Sequence, residues 1–181
     1  MNDSKKKILK NIDDNCSIYN ILCIKTHIYY NRLSCSIHIP LVSISSIMTI
    51  VNSSVKDETI LNILNIVFNL FTAILLVINS NLKFDSKSDD FKNYQIRFVK
   101  LQYECNKLLD IIEDNKEGEI NELSEKVYNL KKNYDDITTN MLDIPSHICI
   151  KVYNNYKDET EYVKLPPILL SYKEKHNFIK L

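Results

Sequence analysis

No lysine, arginine, aspartate or glutamate occurs between Arg32 and Lys56, and none occurs between Glu58 and Lys83. Each window is about 23 residues long, and a helix needs about 20 to cross the hydrocarbon of a bilayer. Only Lys56, Asp57 and Glu58 separate the two windows. Two spans joined by so short a loop make a membrane helical hairpin. The second window, which contains LNILNIVFNLFTAILLVI, is strongly apolar; the first, LSCSIHIPLVSISSIMTIVNSSV, is diluted by serines and His38. The alternative is a pair of buried core helices in a soluble helical protein. Against it, neither window carries the charged outer face that such a helix turns to water.

Orientation follows from the cations near the span ends. Lys25 and Arg32 precede the first span, and Lys83, Lys87 and Lys92 follow the second, whereas the connecting loop has one lysine. Both termini are therefore expected on the cytoplasmic side of an integral membrane protein. Asn52-Ser53-Ser54 matches a glycosylation sequon, but its place at the membrane end predicts that it stays unused. Met1 to Lys10 is polar and lysine-rich, with no apolar run behind it before Leu33, so no secretory signal peptide is expected.

The apolar spans carry a polar stripe. Asn62, Asn65 and Asn69 are spaced three and then four apart, on one face of a helix. An amide in hydrocarbon needs a partner. The first span offers His38, Ser45, Thr49 and Asn52 on one stripe, with Ser43 and Ser46 beside it. Two compatible readings follow. The stripe is glue within the hairpin and between subunits, or several hairpins assemble and the stripe lines a polar pore. A single hairpin has too little surface to enclose one, so a homo-oligomer is expected. His38 is either a pH-sensitive group or a histidine seated at the membrane boundary. Pro40 marks either the helix start or a kink.

Heptad-like spacing fills the rest of the chain. Leu9, Ile12, Cys16, Tyr19, Cys23 and Tyr30 recur at three- and four-residue spacing and predict an amphipathic helix over residues 1–32. The hairpin follows over 33–84. Phe91, Tyr94, Phe98, Leu101, Cys105, Leu108 and Ile112 keep an a/d spacing, as do Ile120, Leu123, Val127, Leu130, Tyr134, Ile137 and Met141. The phase slips in EDNKEGEI, and a turn at Asn115 to Gly118 explains it. Residues 85–144 thus read as a cytoplasmic helical or coiled-coil hairpin, capped by Ser86 or Ser88; one long interrupted coiled coil is the alternative. Pro145 is expected to end the helical region, and residues 145–181 form a tail. In that tail Ile148 to Tyr153 reads as a short strand without a partner strand, and LPPILL as a segment that docks on the helices or on another protein. The fold class is all-α.

Composition removes several functions. The chain of 181 residues has a formal net charge of zero and no nucleic-acid motif, so nucleic acid is not an expected partner. Its single glycine, Gly118, excludes phosphate loops, dinucleotide fingerprints and nucleophile elbows, which each need several. Five cysteines with no C-x-x-C pair predict reduced, mostly buried thiols rather than a disulfide framework or zinc site. His147 and Cys149 resemble a ligand pair only superficially. No serine, histidine or acid falls at catalytic spacing, so neither an enzyme nor a cofactor or metal is expected.

The histidine-ended helix His27-Ile-Tyr-Tyr, the span IPLVSISSIMT, the short loop and the exit NLKFDSKSDDFKNYQIRFVKLQYEC together resemble the SLATT family of two-span membrane modules. The resemblance covers roughly Asn15 to Asp114, with a looser match through Ile144-Pro145. Ile39-Pro40 and Ser45-Ser46 after a histidine carry most of it, and Met48 and Thr49 stand where members often have glycine. It implies an oligomeric membrane effector that forms pores or perturbs membranes in conflict systems driven by nucleotide signals. Stand-alone members occur in large DNA viruses, which would make this a viral protein of a host or virion membrane. Members are usually paired with a separate sensor; no sensor domain is visible, so nucleotide activation does not carry over. The competing functions are a structural or scaffolding component of a virion or infected-cell membrane, and a soluble helical interaction protein.

Overall fold

The computed structural model describes residues 2–113, 120–156 and 165–170, and these are helical with no strand. Five helices follow in order: α1 (Asn2–Ser54), α2 (Glu58–Leu82), α3 (Phe84–Glu113), α4 (Ile120–Asn140) and α5 (Ser146–Tyr156). The chain divides into two compact units, Met1–Thr26 with Asp90–Leu181, and His27–Asp89.

The first unit, the arm, is built on the a/d rows. Leu9, Ile12, Cys16, Tyr19 and Cys23 of α1 are buried, as are Phe91, Phe98, Leu101, Cys105, Leu108 and Ile112 of α3. Leu123, Val127, Leu130, Tyr134 and Ile137 of α4 are buried too. Tyr94 is half-buried, and its hydroxyl donates to the Asn140 carbonyl at 2.9 Å. Ile120 opens α4, but its side chain and the turn expected at Asn115 to Gly118 lie outside the described residues. Pairings fix the directions. Tyr94 meets Asn140 and Arg97 meets Asp136, so α3 and α4 run antiparallel. Lys6 meets Glu113 while Tyr19 stacks on Phe98 at 4.9 Å, so α1 runs antiparallel to α3 as well. Tyr19 also meets Tyr134 edge-on at 6.3 Å. The amphipathic start of α1 is therefore a third core helix of the arm.

Three local expectations change. Of the two readings of Pro40 the helix start falls: α1 runs unbroken from Asn2 to Ser54, and Pro40 lies inside it. No glycine lies in this stretch, and the helix runs on although Pro40 removes one backbone donor and crowds the Ser36 carbonyl. The strand expected at Ile148 to Tyr153 is instead the middle of α5, and Pro145 opens that helix. Its carbonyl accepts from the Ile148 and Cys149 amides. Proline's fixed φ suits a helix entrance, and the buried residues Ile148, Cys149 and Val152 follow the helical period. Finally, neither Ser86 nor Ser88 caps α3. The helix already begins at Phe84, and the Lys87 amide bonds to the Lys83 carbonyl at 3.0 Å. Part of the tail meets this core: Leu165 and Leu169 of LPPILL are buried.

The second unit has almost no interior. Within His27–Asp89 only Ser34, Ile37 and Ser88 are buried. Residues 55–57 join α1 to α2. Asp57 is the N-cap of α2, its carboxylate accepting from the Thr59 and Ile60 amides at 2.9 and 3.2 Å. At the other end Lys83 takes the left-handed conformation, φ 48° and ψ 46°, and its amide bonds to the Asn79 carbonyl. Half-buried positions trace one face on each helix, Leu41, Ile44, Met48 and Val51 on α1, and Leu64, Asn65, Phe68, Thr72, Leu75 and Asn79 on α2.

Candidate functional site

The apolar pair α1–α2 and its polar base form the candidate site. α2 is 25 residues long and none of them is buried. Fifteen large hydrophobic residues between Ile39 and Leu82 are exposed, Val42 at 68% and Ile66 at 67% among them. Water-soluble monomers seldom present apolar patches beyond a few hundred Å². Both helices are long and apolar enough to cross a membrane.

The polar residues of the spans do not pair with one another. Ser43, Ser46 and Thr49 donate back to the carbonyls four residues earlier, Ile39, Val42 and Ser45, at 2.8 to 3.0 Å. The hydroxyls are thereby satisfied within their own helix. Ser45 and Thr49 are exposed, as are Asn62 and Asn69; Asn65 is half-buried. No hydrogen bond joins Asn62, Asn65 or Asn69 to the α1 hydroxyls among the described residues. Asn79, two heptads beyond Asn65 on the same face, has its Oδ1 buried without a donor. The polar row Asn65, Thr72, Asn79 has period seven, a signal visible in the sequence but masked by the tighter Asn62, Asn65, Asn69 grouping.

His38 is engaged elsewhere. Its Nε2 lies 3.1 Å from Asp85 Oδ2 on α3, and the Ser34 hydroxyl donates to the other carboxylate oxygen. The Ser34 hydrogen bond, and after it that of His38, holds the Asp85 carboxyl below its ordinary range. A second bracket lies one turn away. Ser88 Oγ is 2.8 Å from His27 Nδ1 and 3.3 Å from the His27 carbonyl, and Nδ1 is 3.0 Å from the Ser88 carbonyl. Either Ser88 donates to Nδ1, or Nδ1–H donates to the Ser88 carbonyl while the hydroxyl turns to the His27 carbonyl. A buried serine held between ring and backbone is a clasp rather than an exposed nucleophile. Beside these brackets Tyr30 stacks on Phe84 at 6.2 Å and meets Tyr29 at 5.2 Å, and Lys87 Nζ sits 5.6 Å over the Tyr30 ring.

His27, Ser34 and His38 share one face of α1, and Asp85 and Ser88 are one turn apart on α3. The pairings span 47 to 61 residues of chain, so helical spacing alone could not have matched the partners.

Four of the five cysteines lie in the arm. Cys16, Cys23, Cys105 and Cys149 are buried and only Cys35 is exposed. Burial pushes the thiols of Cys23 and Cys105 up to about 12, and that of Cys16 upward too. Among the described residues no group of three or more His, Cys, Asp or Glu converges on a common point.

No family model matches the chain, and no curated protein or solved structure matches it either.

Proposed function

We propose that this chain is a two-span integral membrane protein whose hairpins self-associate and, as an oligomer, form a pore or otherwise perturb the bilayer. The supporting observation is α2, a 25-residue helix with no buried residue and apolar side chains on every face. Lipid is the solvent in which its exposed apolar side chains carry no cost, and only its amides then need partners. The base carries Arg32, Lys83 and Lys87, and the connecting loop carries Lys56 beside Asp57 and Glu58. That asymmetry favours both termini on the cytoplasmic side.

Self-association follows from the amides. The hydroxyls of Ser43, Ser46 and Thr49 are satisfied within their own helix, whereas Asn62, Asn65 and Asn69 have no partner in the hairpin. An unpaired amide in hydrocarbon is costly, and a second copy supplies the same groups in return. The pore-forming or membrane-perturbing step is supported by the resemblance to SLATT modules. The test is reconstitution. Full-length protein in liposomes is expected to resist carbonate extraction, to crosslink into oligomers and to release a trapped small dye. A protein recovered in the carbonate supernatant would leave a soluble helical interaction protein, and stable insertion without release would leave a membrane scaffold.

A further inference from the structure

We infer that Lys83 and Lys87, with Tyr30 and Phe84, form a headgroup site for a phospholipid of net negative charge, on the side of the membrane that holds the arm. The inference rests on the two-span reading and names the lipid class that its base recognises.

Four observations carry it. Lys83 is exposed and has no carboxylate partner among the described residues. It holds the left-handed conformation, where glycine is the unstrained residue. A lysine in that place sets a cation between α2 and α3, at the point where the apolar run stops. Next, Lys87 Nζ lies over the Tyr30 ring at 5.6 Å, and Tyr30 stacks on Phe84, the neighbour of Lys83. Amphipathic rings beside lysines are the side-chain pairing found at headgroup depth. Third, the acid between the two lysines is engaged: both oxygens of Asp85 are taken, one by Ser34 and one by His38. No ion pair joins it to Lys83 or Lys87 among the described residues. Fourth, the opposite end of the hairpin lacks this arrangement. There Lys56 is followed at once by Asp57, which caps α2, and Glu58. Anionic lipids are concentrated in the cytoplasmic leaflet, the side to which the base is assigned.

Each lysine or arginine close to an anionic surface contributes about fivefold in affinity. The test uses the purified full chain in nanodiscs that contain phosphatidylcholine and a minor share of phosphatidylglycerol, each spin-labelled in turn. The immobilised fraction reports lipid held by the protein. At low salt the parent is expected to hold phosphatidylglycerol several-fold over phosphatidylcholine, and the preference is expected to shrink in high salt. The double change Lys83→Gln, Lys87→Gln is expected to abolish the preference, and Lys100→Gln, Lys131→Gln on the arm to leave it. Equal immobilisation of the two lipids by the parent, or a preference that survives the Lys83/Lys87 change, overturns the site while the two-span reading stands. A parent that immobilises neither lipid and washes off in carbonate overturns both.

Discussion

The arm and the hairpin solve opposite problems with the same helix. Over residues 9–23 of α1 the buried apolar side chains lie on one face and the opposite face is charged, so the helix has an inside and an outside. Over residues 39–51 apolar side chains go round, and Ile39, Val42, Ile47 and Ile50 are exposed. The arm closes its core with Phe91, Phe98 and Leu101, each at most 4% exposed. The hairpin buries three residues in all, two of them serines. The difference teaches that one unbroken helix can carry two side-chain distributions, one with a buried face and one with apolar residues left exposed.

The contrast breaks most sharply under truncation in the arm. Phe98→Ala removes a ring that is fully buried and stacked on Tyr19. It is expected to cost about 3–5 kcal/mol, seen as a lower melting temperature of the arm's helical signal. The matching change in the hairpin, Leu70→Ala, is expected to leave that transition in place, because Leu70 is 63% exposed. If the two changes cost the same, the two units do not differ as described.

A charge sharpens the comparison from the other side. Leu70→Arg sits mid-way along α2. In a bilayer it is expected to raise the insertion free energy by about 2.5–3.5 kcal/mol, read as a smaller membrane-inserted fraction. An exposed residue on a water-soluble helix would accept the same arginine almost without effect. Replacing Asn62, Asn65 and Asn69 together with leucine makes α2 more apolar, so insertion should hold. Self-association, measured by crosslinking in membranes, is expected to weaken by roughly 2 kcal/mol at about 0.6 kcal/mol per polar contact. An unchanged crosslinking profile would show that the amides do not join subunits.

Much of this contrast was legible beforehand. The charge-free windows announce two long apolar helices, α2 and the second half of α1. The a/d rows announce the arm because period and burial coincide: Phe91, Phe98, Leu101, Leu108, Leu123, Val127 and Leu130 are all buried. What escaped is non-local or ambiguous. ICIKVY alternates like a strand, yet Ile148, Cys149 and Val152 bury together as helical neighbours. The clasp of His27 with Ser88, and of His38 and Ser34 with Asp85, joins residues that only the return of the chain brings together.

Two smaller effects follow from that packing. Asp85 is held below its ordinary range by Ser34 and His38. A depressed carboxyl stabilises the fold above its unfolded value near 3.9, and that contribution fades as pH falls through the folded value. The protection factors of amides 30–38, corrected for the intrinsic exchange rate, are expected to fall on acidification below about pH 4, and Asp85→Asn to remove that dependence. The effect is small, because the carboxylate is largely exposed. Asp13 has the opposite sign. Burial raises it, against a hydrogen bond from Gln102, so its charge opposes folding at neutral pH. Asp13→Asn is expected to raise the arm's melting temperature slightly, and a lower temperature would show that the charge has an unseen partner.

The central claim is that Glu58–Leu82 crosses a bilayer, with the connecting loop on the far side from the arm. Cys35 is the one exposed cysteine among the described residues, so Cys35→Ser leaves four buried thiols as a quiet background. A single cysteine is then placed either at Ser54, beside the loop, or at Lys100, exposed on the arm. Sealed vesicles of one orientation are treated with a membrane-impermeant maleimide before and after permeabilisation. The account predicts that one position labels at once and the other only after permeabilisation. Labelling of both positions from the same side of sealed vesicles would contradict it.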